Sequence, residues 1–170
     1  MEAGYRYRGS RREAALFFDE YERQLRSAGA RYVLRFDLYE GARLVYAIFF
    51  GTNSLKGVDK MKAAIWKIAP FGTFAFYGSR TPQLVVDVKP NTGQLKSQLI
   101  EQFSPKGWVR IQEIESFVTS DQTDFHSGHL KKLTLVPMES ENLLEVERPI
   151  GTRKNTYPPG TRIRFVPTPR

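Results

Sequence analysis

The chain has no cysteine among its 170 residues and only two histidines, His126 and His129. The first absence excludes a disulfide, a thiolate metal centre and a cysteine nucleophile. Two histidines alone do not make a typical zinc site. No apolar run reaches membrane-spanning length; the stretch Leu44 to Phe50 is short and reads as a buried strand. The N-terminus is basic but lacks the apolar core of a signal peptide. These absences predict a soluble, cytoplasmic protein with no membrane partner. Acidic residues are missing from one whole end: between Arg148 and Arg170 there is none.

What is present is positive charge. Lys and Arg total 26 against 18 Asp and Glu, a formal net charge of +8. That balance favours polyanionic partners. A hydrophobic content of 41% is that of a globular chain, long enough for one ordinary domain or two small ones. Lys89-Pro90-Asn91-Thr92-Gly93 is the clearest break, dividing residues 1–90 from 91–170.

The second part has the order of a winged helix-turn-helix. Leu95, Leu99 and Phe103 recur at helical spacing until Pro105 and Gly107 stop the run. Trp108 to Arg110 suits a short strand, and Ile111, Ile114, Phe117 and Val118 give a second helix an apolar face. The polar turn Ser120 to Thr123 precedes a third helix, with Thr123 as its expected N-cap and Leu130 and Leu133 facing inward. Pro137 should end or kink that helix. Leu144 and Val146 then alternate with Glu145 and Glu147, and Ile163 and Phe165 with Arg162 and Arg164, as two strands around a turn-rich loop. The nucleic-acid reading assigns Ser127, Lys131, Lys132 and Thr134 to a helix entering a groove. It assigns Arg148, Arg153, Lys154, Arg162 and Arg164 to a basic wing touching phosphates. The competing reading is a solvated positive hairpin on a protein-binding domain.

Residues 1–90 read as a small mixed α/β piece. Ser10 and Glu13 have capping-box spacing ahead of the stripe Ala14, Phe17, Phe18, Tyr21, Leu25, and Gly29 suits a helix stop. Residues 31–38 alternate as a strand. Arg43 to Phe50 is apolar on both faces and is expected at the centre of a sheet. Gly51 to Ser54 breaks it before a helix from about Lys56 to Ile68, followed by a short apolar segment, Phe74 to Tyr77, and an alternating strand at Leu84, Val86 and Val88. So little sheet makes a poor independent core, which predicts further strands from a longer chain, a partner or a second copy joined through 43–50.

Other chemistry is thin. His126 and His129 with Asp121 or Asp124 lack a fourth metal ligand, and Ser127 beside His126 lacks triad geometry. Thr52 and Asn53 fit a turn and helix cap better than a site, and Trp66 fits packing better than base stacking. No catalytic, metal or cofactor residue is assigned.

The run Tyr46-Ala47-Ile48-Phe49-Phe50-Gly51-Thr52-Asn53, then Lys56-Gly57 and Lys60-Met61-Lys62-Ala63-Ala64-Ile65-Trp66-Lys67-Ile68, resembles the three-Cys-motif partner protein family. The phrases HLKKL and GTRKNTYPPGTRIRF are similar to the winged helix that follows in that family. The resemblance spans about residues 10 to 166 and is most specific over 46 to 68. It implies the end of a Rossmann-like, methyltransferase-like sheet followed by a winged helix, an α+β chain overall. No glycine-rich strand-to-helix turn for adenosylmethionine occurs, so a methyltransferase-like parent would keep its cofactor half outside this sequence, which is then a fragment or a natural short form. Ser54 departs from the more conspicuous polar residue, often His, expected after Thr-Asn. The expected function is a non-catalytic module binding nucleic acid, duplex DNA before RNA. The alternative is a protein-interaction or substrate-recognition module completing a methyltransferase-like enzyme.

Overall fold

A computed structural model describes residues 11–69, 74–78 and 90–166. The fold is mixed α+β, with two small three-stranded sheets. The expected strand at Leu84 to Val88 and Ser10 of the expected capping box lie outside the described residues.

The first unit begins with α1 (Arg11–Ser27). It ends in a Schellman closure. Gly29, at φ 104°, donates to the Arg26 carbonyl at 3.0 Å and Ala30 to the Leu25 carbonyl at 3.1 Å. Two long strands follow, β1 (Tyr32–Glu40) and β2 (Arg43–Thr52), antiparallel, then α2 (Leu55–Ile68) and β3 (Ala75–Gly78), which pairs parallel with β1. The sheet order is β2-β1-β3, so among the described residues β1 is central and β2 is an edge. Among the described residues this differs from the central placement expected for residues 43–50. The all-apolar run has a different cause: Phe49 packs under Phe18 and Tyr21 of α1 on one face, while Tyr46 and Ile48 stand 66% and 48% exposed on the other. Phe36 of β1 meets Ile65 and Ala69 of α2 beneath the sheet.

The second unit runs α3 (Gly93–Phe103), β4 (Trp108–Arg110), α4 (Ile111–Thr119), α5 (Ser127–Leu130), a π-helical turn (Lys131–Leu135), α6 (Val136–Ser140), β5 (Leu144–Glu147) and β6 (Arg162–Phe165). Its sheet is antiparallel in the order β4-β6-β5. The core gathers Leu95, Leu99 and Phe103 of α3, Ile111, Ile114 and Val118 of α4, Leu130, Leu135, Met138, Ile163 and Phe165. Each such side chain contributes about 1.5–3 kcal/mol by leaving water.

Two local expectations change. The cap of α5 is His126, whose Nδ1 accepts the Gly128 N–H at 3.1 Å; Thr123 is buried and donates instead to the Val118 carbonyl at 3.0 Å. The helix also passes through Pro137. Proline has no N–H for the Leu133 carbonyl, and that oxygen accepts the Thr92 hydroxyl at 3.0 Å. The π turn just before it sets the inward pairs five residues apart, His129 with Leu130 and then Thr134 with Leu135. Leu133, expected inside, is only half-buried.

The units meet along α2. Its Ile65 faces the first sheet while Trp66 enters the second core, with Nε1 donating to the Asp124 carbonyl at 2.6 Å. No described helix is long and apolar enough to cross a membrane.

Candidate nucleic-acid interface and the junction behind it

The segment from Arg148 to Thr161 is a loop of successive turns joining β5 to β6. Thr152 donates to the Pro149 carbonyl at 3.1 Å, with Gly151 at φ 81°; Thr161 donates to the Pro158 carbonyl at 3.1 Å, with Gly160 at φ 91°. Asn155 takes φ 62°, a conformation that Asn tolerates better than most residues. The base of the loop is fixed by Glu139 of α6. Its Oε2 accepts from Arg148 Nη2 at 2.5 Å and from the Tyr157 hydroxyl at 2.7 Å, and the Arg148 guanidinium lies 5.2 Å from the Tyr157 ring centre. Burial works against ionising Glu139, but these two hydrogen bonds prevail and hold its carboxyl below the usual value. Burial first, then the bond to Glu139, push the Tyr157 phenol up.

Between this loop and the π turn lies an open groove of about 520 Å³ lined by Lys131, Thr152, Asn155, Thr156, Tyr157 and Pro158. A second depression, lined by Glu115, Thr119, Ser127, Leu130 and Lys131, adjoins it through Lys131.

The nine residues expected to touch nucleic acid separate into distinct groups here. Lys132, Arg153 and Lys154 are exposed, and among the described residues their side chains make no ion pair or hydrogen bond, although Lys154 is near enough to Glu139 to favour its ionised form. Lys131 pairs with Glu115 at 2.7 Å, but both side chains are substantially exposed, so the pair is worth under about 1 kcal/mol and yields easily to a phosphate. Ser127 is exposed, yet its N–H and Oγ both donate to the Asp59 carboxylate, at 2.7 and 2.8 Å. Arg162 and Arg164 lie across the strand pair from Glu147 and Glu145, at 3.4 and 2.5 Å, which cancels much of the field on that face. Arg148 is tied into the loop base with its side chain only 14% exposed. Thr134 is fully buried and donates to the His129 carbonyl at 2.7 Å; the five-residue phase of the π turn points it inward, so it does not reach the surface. The sequence reading also passed over Ile150, which stands fully exposed beside the basic part of the loop. An apolar residue at a turn between Pro and Gly was the available signal.

Behind this face lies a feature that sequence reasoning missed altogether. Lys62 of α2 is fully buried. Its ammonium donates to the carbonyls of Val118 at 2.9 Å, Phe125 at 3.0 Å and Ser120, and to Thr123 Oγ1 at 3.3 Å. Carbonyls left open at the end of a helix carry partial negative charge, so a cation from another element caps α4 there. Burial lowers the Lys62 pKa to about 8, with Asp124, Asp59 and Asp121 opposing. Burial conversely raises that of Asp124, opposed by Lys62.

The two histidines complete the junction. Their rings lie 3.9 Å apart, and His129 also meets Trp66 edge-on at 4.4 Å. Burial, then the neighbouring His126, bring His129 down to about 4. Burial also lowers His126; Lys62 and Lys60 add to that effect and Asp59 opposes it. His126 Nδ1 is occupied by its cap and Ser127 Oγ by Asp59, so the adjacent His and Ser form no nucleophile pair. Asp121 accepts from Arg26 at 2.7 Å and from the Val33 N–H at 3.0 Å. Thr52 Oγ1 accepts the Ser54 N–H within the turn, Asn53 Oδ1 reaches out of it to accept the Arg31 N–H just ahead of β1, and Ser54 caps α2 through the Gly57 N–H.

No family model, curated protein or solved structure matches the chain.

Proposed function

We propose that residues 91–170 form a winged helix-turn-helix, with the loop after β5 as the wing, and that this unit binds duplex nucleic acid, DNA in the first instance. The carrying observation is the groove between the π turn and the loop, with Lys131 and Asn155 in its wall and the unpaired cations Lys132, Arg153 and Lys154 on the segments that flank it. A cation held in no ion pair gives up little when it neutralises a phosphate, and the groove's hydroxyl and amide groups suit phosphate and sugar contacts. In this reading the chain is a non-catalytic, cytoplasmic nucleic-acid-binding module resembling the three-Cys-motif partners.

Titration with random duplex DNA across a salt series tests this reading. Neutralising about four phosphates gives a log–log slope near −3.6. Reversing Arg153 and Lys154 to Glu should weaken binding to many sequences alike and flatten that slope. Full affinity retained by the double variant would reject the site.

A second reading rests on a separate observation. Leu16 and Phe17 of α1, and Val45, Tyr46 and Ile48 of the edge strand β2, are exposed. They would suit a protein partner, a second copy, or the remainder of a methyltransferase-like enzyme. Sedimentation showing a concentration-independent monomer, with no dye binding to apolar surface, would argue against it.

A further inference from the structure

α2 has a sharply divided circumference. Its buried residues, Val58, Lys62, Ile65 and Trp66, occupy one side. At 100° per residue, Lys56, Lys60 and Lys67 fall within about 40° of one another on the opposite side. All three are exposed, and none makes an ion pair or hydrogen bond among the described residues. The intervening positions on that side are Ala63 and Ala64, so nothing bulky interrupts the row. The helix has one acidic residue, Asp59, and it is engaged by Ser127. The row therefore carries uncompensated charge over a rise of about 16 Å.

Its position links it to the groove. Lys60 lies close enough to His126 to lower that ring's proton affinity, and His126 caps the short helix that begins with Ser127. Ser127 and Lys131 share one depression, and Lys131 then borders the loop groove. The surface thus runs from Lys60 past His126 and Ser127 to Lys131 and on to Thr152 and Asn155.

We propose that the Lys56, Lys60, Lys67 face of α2 is a second phosphate track, extending the footprint of a bound duplex beyond the helix-and-wing unit onto the first unit. The inference rests on the nucleic-acid reading above. It adds that α2 contributes backbone contacts rather than base readout, since lysines separated by alanines present point charges without a fork matched to base edges. A fully solvated lysine face is the competing account.

The experiment compares three proteins on a random 30-base-pair duplex: wild type, Lys56→Gln/Lys60→Gln/Lys67→Gln, and Arg153→Gln/Lys154→Gln. With the α2 track added to the four helix-and-wing contacts, the wild-type slope should be near −6.3; the α2 triple variant should lose tenfold or more in affinity at moderate salt and return to about −3.6, three contacts at about 0.9 each. Its thermal unfolding should match wild type, because all three side chains are exposed and unpaired. A wing variant that weakens while the triple variant binds as wild type would overturn the track and leave the wing site standing. A triple variant that weakens while the wing variant does not would overturn the wing site and keep α2 as an independent polyanion surface. Wild-type protein that fails to bind duplex at low salt would overturn both.

Discussion

A lysine and two histidines decide most of the chemistry behind the exposed face. Lys62 is charged at neutral pH in both the folded and unfolded chain, but its folded value near 8 lies below the ordinary 10.5. Between those values the folded protein has released the proton and the unfolded chain still holds it. Stability therefore rises with pH through that window and falls back as the pH drops through 8, a swing on the order of 3 kcal/mol. Denaturant midpoints at pH 7.5 and 9.5, compared between wild type and Lys62→Met, isolate the effect; wild type should gain stability and Lys62→Met should not. Equal gains in both would assign the titration elsewhere. The histidines work at the other end. Both lie below the ordinary 6.5, His129 at about 4, so their neutral forms support the fold above 6.5 and that support is lost as pH falls toward 4. Protonation also takes the Nδ1 that caps α5 and sets two cations 3.9 Å apart. His129→Phe should keep the ring stack and remove a large share of the acid loss, on the order of 3 kcal/mol, between pH 6.5 and 4. An unchanged acid transition would exclude His129 as its source.

At the scale of elements, the carbonyl freed by Pro137 ties α3 to the helix that carries Lys131 and Lys132. Thr92→Val keeps shape and removes the hydroxyl that serves the partly buried Leu133 carbonyl; the cost should be about 0.5–1.5 kcal/mol in urea unfolding. A loss below about 0.3 kcal/mol would mean that the oxygen finds another donor. This contact also shows what could be read in advance. Elements whose apolar spacing matches their final form, such as α3, α4 and β6, were legible because one face of each is buried by its own unit. The boundaries of α5 were not. Thr123 looks like an N-cap by residue type, but its hydroxyl is claimed by the α4 terminus and by Lys62, and a histidine takes the capping role. Thr134 looked solvent-facing because a period near 3.6 was assumed where the helix widens to five. Exposure of the candidate cations was legible where no partner binds them among the described residues, as at Lys132, Arg153 and Lys154. It was not legible where the partner is distant in sequence: Glu139 for Arg148, Glu145 for Arg164, and four acceptors around Lys62.

For the whole molecule, the question is whether the two units fold as one. Their junction is polar as well as apolar, and much of it converges on the turn between α4 and α5. Trp66 fills the second core from α2, Lys62 closes α4, and Asp121 reaches back to α1 through Arg26 and to β1 through the Val33 amide. The Asp121 side chain is only 12% exposed, so these bonds are shielded from much of the screening that weakens surface pairs. Among the described residues, the first sheet buries few apolar side chains of its own beyond α2: Val33, Leu34 and Phe36 in β1, with Ile65 of α2 and Ala69 just after it packed against Phe36. A small sheet supported by a shared helix should open only when that helix leaves. Native-state hydrogen exchange should therefore give β1 and α4 amides a common opening free energy in wild type. Asp121→Ala removes the acceptor for Arg26 and Val33 at once and should cost about 1–3 kcal/mol. It should also separate the two groups, with β1 exchanging at lower free energy than α4. If β1 and α4 already open separately in the wild-type protein, the units are independent and α2 belongs energetically to only one of them. Any duplex spanning Lys60 and Lys154 would then bridge two bodies rather than lie along one rigid surface.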